Sequence, residues 1–355
     1  MKACVWHKRN DVRVEEVPNP RPPGEGEVQI RVEWCGICGT DVEEYVHGPL
    51  YIPVDKPNPL TGAVAPMVLG HEIVGTVSQV GKGVTSLRAG DRVAPDPIIF
   101  CGHCRHCERH DVHLCESMAH LGLTTHGGLA EYVNTLAKVC FKLPAHVPTE
   151  VGALSEPASV CVHAVRRSRM QIGDTVAIVG AGTIGLLTLQ VVRLAGASRI
   201  FVVEPIEARR KLALRFGAER ALDPGEVDPR DAVFELTGGR GVDRVIECGG
   251  NQTTLALAPR LARKKGLVVI TGLHNEPVGI NLFPVVCEET EIVGSFSHVF
   301  DEDFKQAVEW IGEGKLQPES LVTARIPLGE AVTGGLDALL KRNREHLKIL
   351  INPRS

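Results

Sequence analysis

The stretch TVAIVGAGTIGLLTLQVVRLAG, residues 175–196, restricts the fold more than any other part of the chain. The β-branched run TVAIV reads as a buried strand and LLTLQVVRLAG as a helix. Between them GAGTIG sets Gly180, Gly182 and Gly185, with Thr183 and Ile184 in the same turn. A glycine pattern alone is weak, but between a strand and a helix it predicts a dinucleotide turn. The first glycine permits the tight turn, the second lets backbone approach a pyrophosphate, and the third lets helix and strand touch. The helix N-terminus offers free N–H donors to the phosphates. Glu204 follows Gly185 by 19 residues, at the end of RIFVVE. There a carboxylate accepts from a ribose 2′-hydroxyl and repels a 2′-phosphate, so NAD is expected over NADP. Arg209 and Arg210, on the next helix, either flank the adenosine or speak for NADP. Residues 175–192 carry no charge, yet their glycines and threonines fit a strand, turn and helix better than a membrane span.

The rhythm continues. A helical stretch near residues 151–169 precedes this segment, and RIFVVE, VDRVIECGG, GLVVITG and EIVGSF follow it. EARRKLALRFGA and TTLALAPRLARK separate them as helices, in steps of about 25 residues. This spacing predicts βαβ units, a doubly wound parallel sheet with helices on both faces. Before residue 150 short apolar runs alternate with Pro and Gly: VRVEEV, EVQIRVEW, GTVSQVG, DRVAP and AEYVN. They predict a mostly β domain with sites on its loops. After about residue 297 come one amphipathic helix, DEDFKQAVEWIGEG, and extended pieces ending in HLKILINP. The expectation is an α/β protein whose β domain comprises 1–153 and 297–355, with the nucleotide domain, 154–296, inserted. No low-complexity tract or fixed-period repeat stands out.

Composition limits the partners. Of 355 residues, 39 are Lys or Arg and 43 Asp or Glu, a net charge of −4. That balance leaves no electrostatic footprint for nucleic acid or an anionic membrane. A small-molecule partner is expected. The opening MKACVWHKRNDVRVEEV puts Lys8, Arg9, Asp11 and Arg13 where an export signal needs an apolar run, so a reducing, cytoplasmic setting is expected. EIVGSF would suit sheet pairing between subunits, as a homodimer or homotetramer.

In such a setting clustered cysteines suggest metal and scattered ones core packing. Cys4, Cys140, Cys161, Cys248 and Cys287 stand alone in apolar surroundings and read as small hydrophobes. Cys101, Cys104, Cys107 and Cys115 fall in CGHCRHCERHDVHLC, a CxxCxxCx7C spacing. It can wrap one tetrahedral zinc, and four thiolates leave no open position, so the site should hold a loop and do no chemistry. The interleaved His103, His106, His110 and His113 read as surface residues. A third set is dispersed: Cys38 in CGICGTD, His71 and Glu72 in GHE, and Glu156 in LSEPASV. One Cys, one His and a carboxylate describe an open catalytic zinc site, which makes two zinc ions per chain.

The order CGICGTD, GHE, four-cysteine lobe, EP and GAGTIG resembles the zinc-dependent medium-chain dehydrogenases, over nearly the whole chain. Within them MKACVWHKRNDVRVEEVP, WCGICGTD, GPLYIPVDKPNPLTGAVAPMVLGHE and VVEPIEARRKLA look most like the (R,R)-2,3-butanediol dehydrogenases. The resemblance implies a GroES-like β domain joined to a Rossmann domain. It implies that Cys38, His71 and Glu156 surround the catalytic zinc, with Glu72 a direct or exchanging ligand. It makes Thr40 the hydroxyl that takes the substrate proton, and Asp41 the group that orients the ligands. Val160 would sit against the nicotinamide, and backbone around Thr271 and Gly272 would meet its carboxamide. One departure stands out: members often carry a histidine five positions after the zinc cysteine, to pass the proton on, and here Glu43 stands there. Glu43 or His47 would then serve as the relay. The expected activity is zinc-dependent oxidation of a secondary alcohol by hydride transfer to NAD. The competing readings are a polyol or L-threonine dehydrogenase and a non-catalytic nucleotide-binding protein. The intact Cys38, His71, Glu156 and Thr40 argue against the last.

Overall fold

The computed structural model describes residues 1–273, 276–340 and 346–355. The chain divides into two compact units, Met1–Glu156 with Val299–Ser355, and Pro157–His298.

The first unit is built on a seven-stranded sheet. Its spine is the strand Glu27–Gly36, which pairs antiparallel with Glu72–Val80, Tyr132–Leu136 and Lys348–Asn352. Beyond these lie Arg92–Pro95, Cys140–Lys142 and Val322–Pro327. Val28, Ile30 and Val32 alternate into the core beside Ile73, Val77, Ile349 and Ile351. This is the period of two expected of a strand with one buried face. The C-terminal segment supplies two strands, Val322–Pro327 and Lys348–Asn352, which pair in parallel. Leu350 stands opposite Gly36, so residues more than 300 positions apart in sequence share one sheet.

The second unit is a six-stranded sheet in which every pair is parallel. From edge to edge its strands are Arg220–Leu222, Arg199–Val203, Thr175–Val179, Val242–Glu247, Ala262–Ile270 and Glu291–Gly294. Strand order reverses between Thr175–Val179 and Val242–Glu247, the switch point at which such sheets bind ligands. Five of the strands coincide with the apolar runs of the sequence. The sixth, Arg220–Leu222, has only three residues, half exposed at the sheet edge, and its pattern is too short to show periodicity. Residues 175–192 form the strand Thr175–Val179 and most of the helix Thr183–Leu194. No helix among the described residues is long and apolar enough to cross a membrane.

Two readings of single residues need correction. Cys287 is exposed, because the short helix Leu282–Cys287 lies on the surface with none of its residues buried. Apolar neighbours in sequence did not make a core there. His113 is buried, in the 3-10 turn Val112–Leu114 that turns it inward beside Val112. Cys4 and Cys161 are buried as expected. Burial pushes the thiols of Cys4 and Cys248 up to about 12, so neither is a nucleophile at neutral pH.

Candidate metal centres and nucleotide turn

Cys38 ends the loop after the strand Glu27–Gly36 and is the N-cap of the helix Gly39–His47. Asp41 closes a capping box, its Oδ2 accepting from the Cys38 amide at 2.9 Å. His71 and Glu72 arrive where the neighbouring strand begins. Gly36 pairs with Glu72 in the ladder, and a Cβ at Gly36 would lie 1.9 Å from Glu72 Oε2. Only glycine leaves room for that carboxylate. One ligand atom each from Cys38, His71 and Glu72 falls within 4.8 Å of the others.

Charge inside this cluster is balanced by Asp41, which the resemblance singles out, and by residues that no local motif reveals. Asp41, fully buried, places Oδ1 3.5 Å from His71 Nδ1. Burial opposes a charged His71, but Asp41 and Cys38 outweigh it and raise its pKa well above the ordinary value. Lys348 Nζ donates to Glu72 Oε1 at 2.5 Å and to the Ile37 carbonyl at 3.0 Å. Burial likewise opposes the Lys348 charge, and Glu72, Cys38 and Glu156 raise its pKa regardless. The His120 ring stands edge-on to His71 at 5.1 Å. Tyr51, whose amide donates to buried Glu44, has its phenol pKa raised by burial, Glu44 and Cys38. Lys348, His120 and Tyr51 carry no motif; only the fold brings them here.

The donor set fits a metal. Glu72 Oε2 is buried with no hydrogen-bond partner, and an unpaired buried group of this kind is costly. Sulfur, imidazole and carboxylate in one cluster suit zinc. Thr40 stands in the first helical turn, its hydroxyl 3.6 Å from Cys38 Sγ. Glu43 and His47 lie one turn apart on the same helix, both half exposed, with Glu43 Oε2 3.7 Å from His47 Nε2. The sequence offered them as alternatives; the helix pairs them. Glu156, buried in the first turn of the helix Ser155–Arg167, stays outside the three-residue cluster.

Cys101, Cys104, Cys107 and Cys115 converge within 4.8 Å. Cys107 Sγ lies 3.8 Å from Cys101 Sγ and 3.6 Å from Cys104 Sγ. Backbone N–H groups point at the sulfurs, Cys101 N to Cys115 Sγ at 3.3 Å and Cys104 N to Cys101 Sγ at 3.4 Å. Amides of Cys107 and Glu116 pull the Cys104 thiol down to about 6, while burial pushes Cys107 up to about 12. Four cysteine sulfurs converging on one point suit a tetrahedral zinc, which would hold all four as thiolates. Among the interleaved histidines, His110 reaches Asp301 at 2.8 Å.

In the second unit each glycine of the turn has a distinct reason. Gly180 has φ +97°. Gly182, the N-cap of Thr183–Leu194, faces open space, the cradle a pyrophosphate needs. A Cβ at Gly185 would lie 1.9 Å from Gly180 O. Glu204, 4% exposed, accepts from Ala181 N at 2.7 Å and Ile206 N at 2.9 Å, so its carboxylate also shapes the turn. Arg210 pairs with Asp223 at 2.8 Å, whereas burial lowers the pKa of Arg209 beside Glu204. Ile184, in the first helical turn, lends its carbonyl to Cys161 Sγ at 3.3 Å. Val160 is half-buried. Thr271 donates both its amide and its hydroxyl to the Glu247 carbonyl, and a Cβ at Gly272 would lie 2.4 Å from Gly250 Cα.

Comparison with known proteins gives the family. Residues 24–145 match the alcohol dehydrogenase GroES-like domain, and residues 183–313 match the zinc-binding dehydrogenase family. The (R,R)-butanediol dehydrogenase of Bacillus subtilis (strain 168) is 38% identical over 99% of this chain and 100% of its own. The crystal structure of 2R,3R-butanediol dehydrogenase from Bacillus subtilis superposes with TM-score 0.91 at 37% identity, covering 99% of each chain. A zinc-binding dehydrogenase from Sinorhizobium meliloti 1021 bound to NADP gives 0.88 at 34%, again over 99% of each. A GroES-like unit with a cysteine-histidine-glutamate cluster, joined to a Rossmann unit with an open glycine turn, makes this chain a zinc-dependent medium-chain dehydrogenase, an oxidoreductase that acts on secondary alcohols.

Proposed function

We propose that this dehydrogenase oxidises (R,R)-2,3-butanediol to acetoin, and reduces acetoin in reverse, with NAD as its cofactor. The observation that carries the reading is the cluster of half-buried Cys38 with buried His71 and Glu72, supported by the full-length likeness to butanediol dehydrogenases. In this reading the unit with both cysteine centres is the catalytic domain, and the one with the glycine turn binds the nicotinamide cofactor. Two zinc ions per chain follow from the two clusters, one holding the lobe and one serving catalysis.

When bound, zinc supplies Lewis-acid stabilisation of an alcohol oxygen and NAD accepts the hydride. The chain's own residues do the rest. Cys38 and His71 hold the metal, Glu72 or Glu156 completes the set, and Asp41 fixes the His71 ring. The Thr40 hydroxyl accepts the substrate proton, and the Glu43 and His47 pair passes it to water. Gly180, Gly182, Thr183, Ile184 and Gly185 cradle the pyrophosphate. Glu204 faces the adenosine ribose and disfavours NADP, with Arg209 beside it. Val160, Thr271 and Gly272 meet the nicotinamide. Exposed Leu282, Phe283 and Val286, beside the edge strand Glu291–Gly294, support a homodimer or homotetramer, and the free thiols fit the cytoplasm.

The test is turnover of resolved butanediols, sorbitol and L-threonine with NAD and with NADP, before and after chelation. (R,R)-Butanediol with NAD should be fastest, and chelation should abolish it. Faster oxidation of sorbitol or threonine overturns the substrate, and a preference for NADP overturns the cofactor.

A further inference from the structure

The turn after the strand Val242–Glu247 lies against the glycine-rich turn, and one buried carboxylate organises it. A Cβ at Gly180 would meet Gly249 Cα at 3.1 Å, and the Cys248 amide donates to the Val179 carbonyl at 2.8 Å. Glu247, fully buried, ends its strand there. Its Oε1 accepts from the amides of Gly249 and Gly250 at 2.8 Å each and from the Thr254 hydroxyl at 2.6 Å. Its carbonyl accepts from the Thr271 amide at 3.0 Å and the Thr271 hydroxyl at 2.6 Å. A Cβ at Gly272 would come within 2.7 Å of Glu247 Oε2. Through side chain and backbone together, this residue ties 248–251 to 271–272, two loops at the carboxyl ends of adjacent parallel strands.

Capping of the next helix does not account for the carboxylate. Asn251 already caps Gln252–Leu261, its side chain accepting from the amides of Thr253 and Thr254. Burying a carboxylate is unfavourable unless donors surround it, and here three donors meet one oxygen at the ligand-binding end of the sheet.

We propose that Glu247 is a positioning residue for the nicotinamide half of the cofactor: it sets the gap between the two loops, so that the carboxamide meets one arrangement of backbone groups. The proposal rests on the reading that Thr271 and Gly272 face that carboxamide. It concerns one half of the dinucleotide only, so the affinities of NADH and of ADP-ribose, which lacks the ring, should part company.

Titration of the full-length zinc-loaded protein with each ligand, by NADH fluorescence and by calorimetry, provides the test. E247A should weaken NADH by about tenfold or more, the loss of a charge-assisted anchor, and leave ADP-ribose within about twofold. E247Q, which keeps an acceptor for the three donors, should bind NADH within about threefold of the parent. Should E247A not fold, E247D withdraws the carboxylate by one methylene and is held to the same thresholds. Equal loss of both ligands, loss of neither, or no rescue by glutamine overturns the proposal. G272A separates the underlying reading: if it leaves the ratio of NADH to ADP-ribose affinity unchanged, that loop does not face the nicotinamide, whatever Glu247 does.

Discussion

The cysteine lobe and the Cys38 cluster each gather metal-binding donors in the same unit, by opposite means. The lobe's four sulfurs come from one stretch, residues 101–115, and backbone amides of the same turns point at them. The Cys38 cluster draws its donors from a helix N-cap and a strand start, and balances Glu72 with a lysine 276 residues further on. The contiguous site is held by its own turns. The dispersed site is held by buried charge, which is costly to keep dry. The difference teaches that donors from one stretch need only their own turns, whereas donors gathered from across the fold need buried charge to hold them together.

The comparison breaks most sharply at His71. His71→Ala should lower kcat/KM at least about a thousandfold, the scale of losing a metal ligand or an equivalent electrostatic group. Zinc content by mass spectrometry should fall by one ion per chain while the lobe keeps its own. Loss of both ions would merge the two centres into one cooperative unit.

Lys348→Met leaves Glu72 buried without its cation, and should cost about 3–5 kcal/mol in urea unfolding. Adding Glu72→Gln should recover part of it, and a double-mutant cycle measures the coupling. Additive losses would mean that the ion pair does not support the cluster.

Cys104→Ser should act on stability rather than chemistry. We expect the melting midpoint to fall by roughly 10 °C, the scale of losing a few kcal/mol of metal-linked stability in a domain of this size. Turnover per folded molecule at 25 °C should stay within about threefold of the parent. A catalytic collapse at that temperature would give the lobe a chemical role.

Glu43→Gln and His47→Ala sharpen the comparison on the catalytic side alone. Each should slow alcohol oxidation by about tenfold or less and alter the shape of the pH profile, as loss of a general base does. Unchanged profiles in both would remove the pair from the proton path.

The smallest effect lies outside both centres. Burial pushes the Asp243 pKa up, but Arg263 and Thr175 win and hold it at about 2. An unfolded aspartate titrates near 3.9, so the stabilisation is complete above about pH 4 and vanishes as pH falls through about 2. Solvent screens the pair, so Asp243→Asn should cost only about 1 kcal/mol at neutral pH. The difference from the parent should close below pH 2 in the same unfolding assay.

Much of this was legible in order along the chain. Strands buried on both faces are continuous apolar runs, so Thr175–Val179 and Arg199–Val203 announced themselves. Gly180, at φ +97°, and Gly185, where a Cβ would meet Gly180 O at 1.9 Å, met the steric demands their spacing implied. The four-cysteine spacing encodes its own convergence, because all its donors lie within a few turns. Cys287 misled because apolar neighbours along a six-residue surface helix do not define a buried face.

What the sequence by itself determined is therefore what short-range geometry decides: turns, caps, strand periodicity and the contiguous metal lobe. Only the tertiary structure decided that Lys348 neutralises Glu72, that Tyr51 and His120 stand by Cys38 and His71, and that Glu247 joins two loops. Those contacts follow from sheet order, which sets the C-terminal strand against Glu27–Gly36 and lays Ala262–Ile270 beside Val242–Glu247. Coulomb energy depends on distance in space and on dryness, and neither is written in the separation of residues along a chain.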